Sequence, residues 1–281
     1  MKMKNILIVS LMILAISANT IAQPTISVDE LTKNLKNTNL VIIAAGTVDE
    51  YNKAHITGSV SLPYTAFDKA GEIEGLLIAE QEMAKILGGI GVSEKSTIVV
   101  YDEFDSRYAA RIYSLLKYLG AKDVKILDGG LEAWKKGRKP ITRNPTNISK
   151  TTFTPSVNKS LLTGIEKVDA SKSNLVLIDT RSPEEFNGIK DSKGRLPGAI
   201  NIEYKELLDA NGMIKAKADL EKVYAAKGVS KDKQIILYCS SGVRTGLHYL
   251  VMVDILGYQN VKIYDGGYNE YVSKFPGKIV K

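Results

Sequence analysis

The chain has 281 residues, of which 44% are hydrophobic and 25% are charged, and its formal net charge is +7. This length predicts two globular domains. The positive charges are spread along the chain, which argues against nucleic-acid binding but suits a small anionic substrate. One cysteine and two distant histidines lack the spacing of a metal site, so neither a metal nor another cofactor is expected.

Residues 1–22 have the pattern of a secretory signal peptide. Two lysines precede an apolar stretch from Ile6 to about Ala18, and the small residue Ala22 marks the cleavage site. A membrane anchor is the alternative, but this stretch is shorter than the roughly 20 residues that a span needs. We therefore expect an exported protein without stable membrane insertion, periplasmic if the organism is a Gram-negative bacterium.

The rest of the chain is a tandem repeat. Residues 96–130 align without a gap with residues 233–267, at a constant offset of 137 positions (from 102 to 239, and from 107 to 244). A polar, basic segment at 141–160 separates the copies and predicts a linker. The predicted domains are therefore 23–140 and 161–281.

Each copy predicts an alternation of helices and strands. The segments Ser27–Glu30 and Thr163–Glu166 are capping boxes that predict helix starts, and apolar strands follow at 39–43 and 174–178. A polar loop, a helix and a further strand complete each copy. This order predicts an α/β fold with two domains, each a small parallel sheet flanked by helices on both faces.

The only cysteine, Cys239, follows a strand predicted over 235–238 and precedes a helix predicted over 245–256. Ligands of open α/β sheets bind at the carboxyl ends of strands. The small residues and the glycine between these elements allow backbone N–H groups to curl around an anion, and Arg244 adds a positive charge. Because these features stabilise a thiolate, Cys239 is predicted to be a nucleophile and not an inert core residue.

The two histidines do not supply a base close to Cys239 in the sequence. His248 lies nine residues further on, roughly 13 Å away at about 1.5 Å per residue of helix, and His55 belongs to the other copy. A cysteine–histidine dyad of the protease type is therefore not expected. We interpret His248 as a packing or surface residue.

Several motifs occur in a fixed order along the chain. They are an aromatic and histidine motif at 51–59, the strand end Asp179-Thr180-Arg181, a turn at 194–201, the loop at 239–244, and Asp-Gly-Gly at 128–130 and 265–267. From about Ser27 to about Phe275, this combination resembles the rhodanese family of sulfurtransferases in its tandem form. The resemblance implies a thiosulfate sulfurtransferase-like enzyme. Its catalytic Cys239 takes sulfur from a small anionic donor and passes it, as a persulfide, to cyanide or a thiol.

The resemblance also implies roles for the residues near Cys239. The substrate and persulfide loop comprises Ser240, Ser241, Gly242, Val243, Arg244 and Thr245. Its backbone N–H groups are expected to stabilise the thiolate and the persulfide, and Arg244 is expected to hold the donor. Asp179, Arg181 and Arg195 are candidates for the pocket framework, with an ion-paired structural role as the alternative. In an oxidising compartment, a thiol reductant is a further expected partner.

The first copy is predicted to be catalytically inactive. Asp102 stands where the second copy has Cys239, and Glu103 and Asp105 make the same loop acidic. The strand at 40–43 also ends without the acidic residue that Asp179 supplies in the second copy. We therefore expect the domain at 23–140 to support the catalytic domain structurally.

The loop sequence leaves the sulfur donor open. Tandem thiosulfate enzymes typically have basic residues where Ser240 and Ser241 stand, mercaptopyruvate enzymes typically have Gly-Ser or similar, and both usually have threonine in place of Arg244. We prefer thiosulfate because Arg244 and a positive chain suit a small dianion. The alternatives are 3-mercaptopyruvate, a protein persulfide, and a carrier without turnover. Phosphatase activity is disfavoured, because phosphatases of the same fold have a Cys-x5-Arg loop, which would place arginine at position 245, where this chain has threonine.

Overall fold

The computed structural model describes residues 23–168, 174–189 and 192–281. The signal-peptide prediction for residues 1–22 falls outside these ranges. Among the described residues, no helix combines the length and the apolar character needed to cross a bilayer.

The first half of the chain builds one five-stranded parallel sheet. Its elements, in chain order, are β1 (Thr25–Ile26), α1 (Val28–Asn34), β2 (Leu40–Ala44), α2 (Val48–Lys53), β3 (His55–Ile56), β4 (Val60–Ser61), α3 (Glu80–Gly89), β5 (Thr97–Tyr101), α4 (Arg107–Tyr118), β6 (Asp123–Leu127), α5 (Gly130–Lys136) and β7 (Ile141–Thr142). The strand order is β1-β6-β5-β2-β4, and β3 pairs with β7 as a separate antiparallel ribbon. Residues 141–142 of the predicted linker thus pair with the first domain.

The second half repeats this arrangement. Its elements are β8 (Leu162–Thr163), a 3-10 turn (Ile165–Lys167), β9 (Leu175–Asp179), α6 (Pro183–Phe186), β10 (Ile200–Asn201), a 3-10 turn (Tyr204–Leu207), α7 (Lys217–Ala225), β11 (Gln234–Tyr238), α8 (Thr245–Tyr249) with a π-helical continuation (Leu250–Ile255), β12 (Val261–Tyr264), α9 (Gly267–Lys274) and a 3-10 turn (Pro276–Lys278). The strand order β10-β9-β11-β12-β8 is that of the first sheet, and the pairs are parallel. The predicted α/β fold is confirmed.

The central strand β11 shows why a continuous apolar run forms here. It pairs with β9 on one side and β12 on the other, and Ile235 to Tyr238 are all buried. Such a strand has helices on both faces of its sheet, so its residues are apolar without alternation. Its carboxyl end therefore lies at the middle of the sheet edge, and Cys239 follows it.

The two domains pack through α4 and α8 at a close helix crossing. A Cβ atom on Gly246 would lie 2.2 Å from the carbonyl oxygen of Ala110, so only glycine permits this approach. Two further contacts are equivalent under the repeat: Leu77 N–H donates to Asp265 at 3.3 Å, and Ile214 N–H donates to Asp128 at 3.0 Å. The domains are thus related by an approximate two-fold relation.

One of the two predicted helix starts is wrong. Ser27 and Glu30 form the predicted capping box at the start of α1. Thr163, in contrast, lies in β8, and the 3-10 turn that follows begins after Gly164, which has no side chain to cap it. The helix predicted over 245–256 is present, but its second half is π-helical over Leu250–Ile255.

Candidate active site

The thiol of Cys239 lies at the carboxyl end of the central strand and is almost fully buried, with 1% of the residue exposed. Its backbone is held by α9, since Tyr268 N–H donates to the Cys239 carbonyl at 2.8 Å. Gly267 has φ 54°, and a Cβ atom there would lie 2.6 Å from the same carbonyl oxygen. The last glycine of the Asp-Gly-Gly motif therefore allows the start of α9 to approach the loop at Cys239 this closely.

The loop after Cys239 curls tightly, as predicted. Gly242 has φ 79°, a conformation that favours glycine. The hydroxyl of Thr245 donates to the Gly242 carbonyl at 2.6 Å and closes the curl. Ser241 and Thr245 are buried, whereas Ser240, Val243 and Arg244 are only partly covered.

Arg244 is bound by a carboxylate that the sequence analysis did not identify. Its Nη1 and Nη2 donate to the two Glu185 oxygens at 2.6 and 2.9 Å, and Nη2 also donates to the Ser240 hydroxyl at 2.9 Å. Burial by itself would lower the pKa of Arg244, but the hydrogen bonds that it donates to Glu185 and the nearby Cys239 raise this pKa. The positive charge of Arg244, which was expected to hold an anionic donor, is thus compensated by the carboxylate of Glu185.

Glu185 owes its position to α6. Ser182 and Glu185 form a capping box at the start of this helix, in which each side chain accepts a hydrogen bond from the other residue's backbone N–H. Burial would raise the pKa of Glu185, but hydrogen bonds and charge from Arg244 outweigh burial and lower it to about 2. The Ser-x-x-Glu spacing was a detectable signal of the helix start, but it carries no information about Arg244.

The three predicted framework residues, Asp179, Arg181 and Arg195, lie at the end of β9 and in the 194–201 turn. Asp179 and Arg181 form a buried ion pair at 2.6 Å, and Arg181 also donates to the Gly194 carbonyl at 2.9 Å. The guanidinium of Arg195 lies 4.5 Å from the centre of the Phe186 ring. None of the three is among the described residues that line the cleft. They link the end of β9 to the 194–201 turn.

A cleft of about 440 Å³ lies between the domains next to the loop. The second domain lines it with Ser241, Val243 and Arg244, among others. The first domain contributes four side chains to the same cleft, namely Tyr64, Glu74, Arg107 and Tyr108. Cys239 itself is not among the described residues that line this cleft, but its loop is, so the cleft next to the loop is shared between the domains.

The first domain also supports the loop from behind through a buried cation. Arg111 of α4 is 1% exposed, and its Nη1 donates to the Gly242 carbonyl at 3.5 Å. Its Nη2 lies 3.4 Å from Asp68 and 3.8 Å from Asp265. Burial raises the pKa of Asp265 to about 6, although Arg111 opposes this rise.

In the equivalent loop of the first domain, backbone N–H groups bind an anion. The carboxylate of Asp102 accepts hydrogen bonds from the N–H groups of Ser106, Tyr108 and Ala109 at 3.1, 2.9 and 3.1 Å. Burial and the neighbouring Asp105 raise the pKa of Asp102 to about 6 despite these donors. The residue with left-handed backbone is Ser106 in this loop and Gly242 in the second loop. Under the repeat, Ser106 is equivalent to position 243, so the two loops curl at positions that differ by one residue.

Both histidines are buried packing residues, which agrees with the interpretation of His248. The His248 Nδ1 lies 2.9 Å from the Tyr224 hydroxyl, and burial lowers the pKa of this histidine to about 3. His55 stacks on Tyr51 with ring centres 3.7 Å apart. Neither ring is among the described residues that line the cleft.

Comparison with known proteins identifies relatives along most of the chain. A family model of the rhodanese-like domain matches residues 27–137 and 162–274. A protein of Mycolicibacterium smegmatis named putative thiosulfate sulfurtransferase is 31% identical over 264 residues, which cover 88% of this chain and 94% of that protein. The sulfur carrier protein TtuD of Thermus thermophilus is 30% identical over 240 residues, which cover 79% of this chain and 83% of TtuD.

The fold agrees with these relatives. The crystal structure of SseA from Escherichia coli, described as a 3-mercaptopyruvate sulfotransferase, superposes with a TM-score of 0.81 at 26% identity. The match covers 88% of this chain and 99% of SseA. Together with the two matched domains, it confirms the resemblance drawn from the motifs: the chain belongs to the rhodanese family and carries two rhodanese-like domains.

Proposed function

We propose that this chain is a sulfurtransferase that moves the outer sulfur of thiosulfate to a thiol or cyanide through a persulfide on Cys239. The observation that carries the proposal is the position of the only thiol in the chain. It lies at the end of the central strand β11, in a curled loop whose residues Ser241 and Val243 line the cleft between the domains.

The chemistry has two steps. In the first, the Cys239 thiolate attacks the outer sulfur of thiosulfate; a new sulfur–sulfur bond forms, the old one breaks, and sulfite leaves with its electron pair. In the second, the acceptor attacks the outer sulfur of the persulfide, and Cys239 leaves as a thiolate. No net oxidant or reductant is needed, and the enzyme returns to its starting state.

The loop backbone stabilises the anions of both steps. In the first domain, three N–H groups converge on the carboxylate of Asp102, which stands at the position equivalent to Cys239. The second loop is curled one position earlier by Gly242 and is closed by Thr245, and we propose that its N–H groups stabilise a thiolate or persulfide at Cys239 as the first loop does a carboxylate.

Thiosulfate is the preferred donor because the Mycolicibacterium smegmatis relative, which is 31% identical, is named putative thiosulfate sulfurtransferase. Two alternatives have support of their own: the fold match to SseA favours 3-mercaptopyruvate, and the relative TtuD favours a carrier that hands sulfur to a partner protein. The three differ in which compound loads Cys239 and in how fast the sulfur is released.

Intact-mass spectrometry separates these alternatives. Wild-type protein and Cys239→Ser are incubated with thiosulfate or with 3-mercaptopyruvate, then with cyanide. We expect wild-type protein to gain one sulfur atom from thiosulfate and to lose it to cyanide as thiocyanate, whereas Cys239→Ser gains none. If only 3-mercaptopyruvate loads Cys239, it replaces thiosulfate as the proposed donor. Slow release of the sulfur to cyanide would favour a sulfur carrier. If no donor loads the protein, sulfur transfer is refuted.

We also propose that residues 1–22 direct export, which their two lysines and apolar stretch support. A lone cysteine in an oxidising compartment cannot pair within its own chain, so turnover there calls for a small thiol or a dedicated reductant. Terminal sequencing of the protein from an exported fraction is expected to begin at Gln23. A mature protein that retains Met1 would contradict export.

A further inference from the structure

Among the described residues that line the cleft, three carry a positive charge: Arg107, Lys205 and Arg244. An anionic donor needs at least one cation whose charge is not already compensated, since a bound carboxylate both neutralises the cation and occupies its donors. The surroundings of the three cations differ in this respect.

Arg244 and Lys205 are poorly suited to the task. Both terminal nitrogens of Arg244 are engaged by Glu185 at 2.6 and 2.9 Å. The side chain of Lys205 is 64% exposed, compared with 41% for Arg107, and its ammonium lies 3.8 Å from Glu203. A surface ammonium of this kind contributes little binding energy because water and salt screen it.

The guanidinium of Arg107 is held in place mainly by aromatic rings, whereas that of Arg244 is paired with a carboxylate. Its guanidinium lies 4.5 Å from the centre of the Tyr108 ring, which stacks on Tyr64 at 4.0 Å. Its Nη2 donates to the Tyr108 hydroxyl at 3.2 Å. Aromatic faces and a neutral hydroxyl orient a guanidinium but leave its charge in place.

The carboxylate next to Arg107 is shared with the second domain. Asp105 Oδ1 lies 3.7 Å from Arg107 Nε, beyond hydrogen-bonding distance, and this Nε is buried without any hydrogen-bond partner. The other Asp105 oxygen accepts a hydrogen bond from the Tyr204 hydroxyl at 2.8 Å. Asp105 and Tyr204 thus hold Arg107 against the second domain, and no carboxylate accepts a side-chain hydrogen bond from its guanidinium among the described residues.

We propose that Arg107 of the first domain, and not Arg244, binds the anionic end of the sulfur donor. The inference rests on the proposed function and specifies its substrate class: a small donor that carries a sulfonate-like group with two or more oxygens. The planar fork of a guanidinium matches two such oxygens. The first domain, whose own loop has Asp102 in place of a thiol, then contributes substrate recognition as well as support.

The test compares Arg107→Gln with wild-type protein in steady-state and single-turnover assays. In a two-step scheme, kcat/KM for thiosulfate reports only the steps up to sulfite release. We expect Arg107→Gln to lower it by about tenfold to a hundredfold, the range for losing a hydrogen-bonded charge. Discharge of the preformed persulfide by dithiothreitol, an uncharged acceptor, is expected to stay unchanged, which also shows that the variant is folded. Arg107→Lys is expected to recover only part of the loss.

Arg143→Gln is the matched control, because it removes the same charge from an exposed residue outside the cleft. It is expected to leave both steps unchanged. Thiosulfate kinetics in Arg107→Gln within about twofold of wild type would overturn this inference alone. Failure of thiosulfate to load wild-type protein would overturn the inference together with the proposed donor.

Discussion

Glu185→Gln tests whether the carboxylate of Glu185 compensates the charge of Arg244. The pKa of Glu185 is about 2 instead of 4.5, and each unit of pKa is worth about 1.4 kcal/mol. The shift therefore corresponds to about 3 kcal/mol, which water at the cleft mouth reduces to about 2 kcal/mol. We expect the variant to lose about this much free energy of unfolding at pH 7.

The sign of the pH dependence follows from the lowered pKa. The stabilisation is fully present above pH 4.5 and is lost as the pH falls through about 2. Urea unfolding at a series of pH values is therefore expected to show the two proteins converging in acid. Glu50→Gln is the matched control, since Glu50 belongs to the equivalent capping box of α2 but has no arginine partner in the structure.

Glu185→Gln is expected to strengthen binding of the sulfur donor although it lowers the stability of the protein. Removing one negative charge from the cleft lining weakens the repulsion of a dianionic donor, and a gain of about 1 kcal/mol corresponds to about fivefold in KM for thiosulfate. We therefore expect KM to fall. A KM that rises would show that Glu185 positions Arg244 as the donor site and would refute charge compensation; a stability difference independent of pH would refute the ion pair.

Two further predictions concern the packing behind the loop. Gly267→Ala places a Cβ atom against the Cys239 carbonyl and is expected to slow sulfur loading by about tenfold or more. Gly130→Ala, which makes the equivalent clash at Asp102, is the control and is expected to lower only thermal stability. Equal loading rates in the two variants would contradict this prediction. Arg111→Met removes the buried partner of Asp265, whose pKa of about 6 makes it largely neutral at pH 5. We expect unfolding measurements to show a loss of about 3 kcal/mol at pH 8 and less at pH 5, and an equal loss at both would refute the pairing.

Local rules explain which features were predictable from sequence. The apolar run at 235–238 and the glycine of the loop specify a buried strand followed by a tight curl, because both depend on neighbouring residues. The offset of 137 positions revealed the second copy and, with it, the replacement of Cys239 by Asp102. The capping box at Thr163 failed because β8 extends to that residue and the turn begins after Gly164.

Contacts between distant parts of the chain were not predictable in this way. Glu185 lies 59 residues before Arg244, and nothing in a Ser-x-x-Glu spacing indicates that this carboxylate reaches the loop after Cys239. The positions of Arg107 and Arg111 depend on the packing of α4 against α8, which a single sequence does not reveal. The sequence by itself determined the repeated fold and the place of Cys239 and its loop at the end of a central strand, and it predicted Cys239 as the nucleophile, since these follow from residue type and periodicity. Only the tertiary structure decided which charges meet in the cleft, because electrostatic partners are set by distance in space.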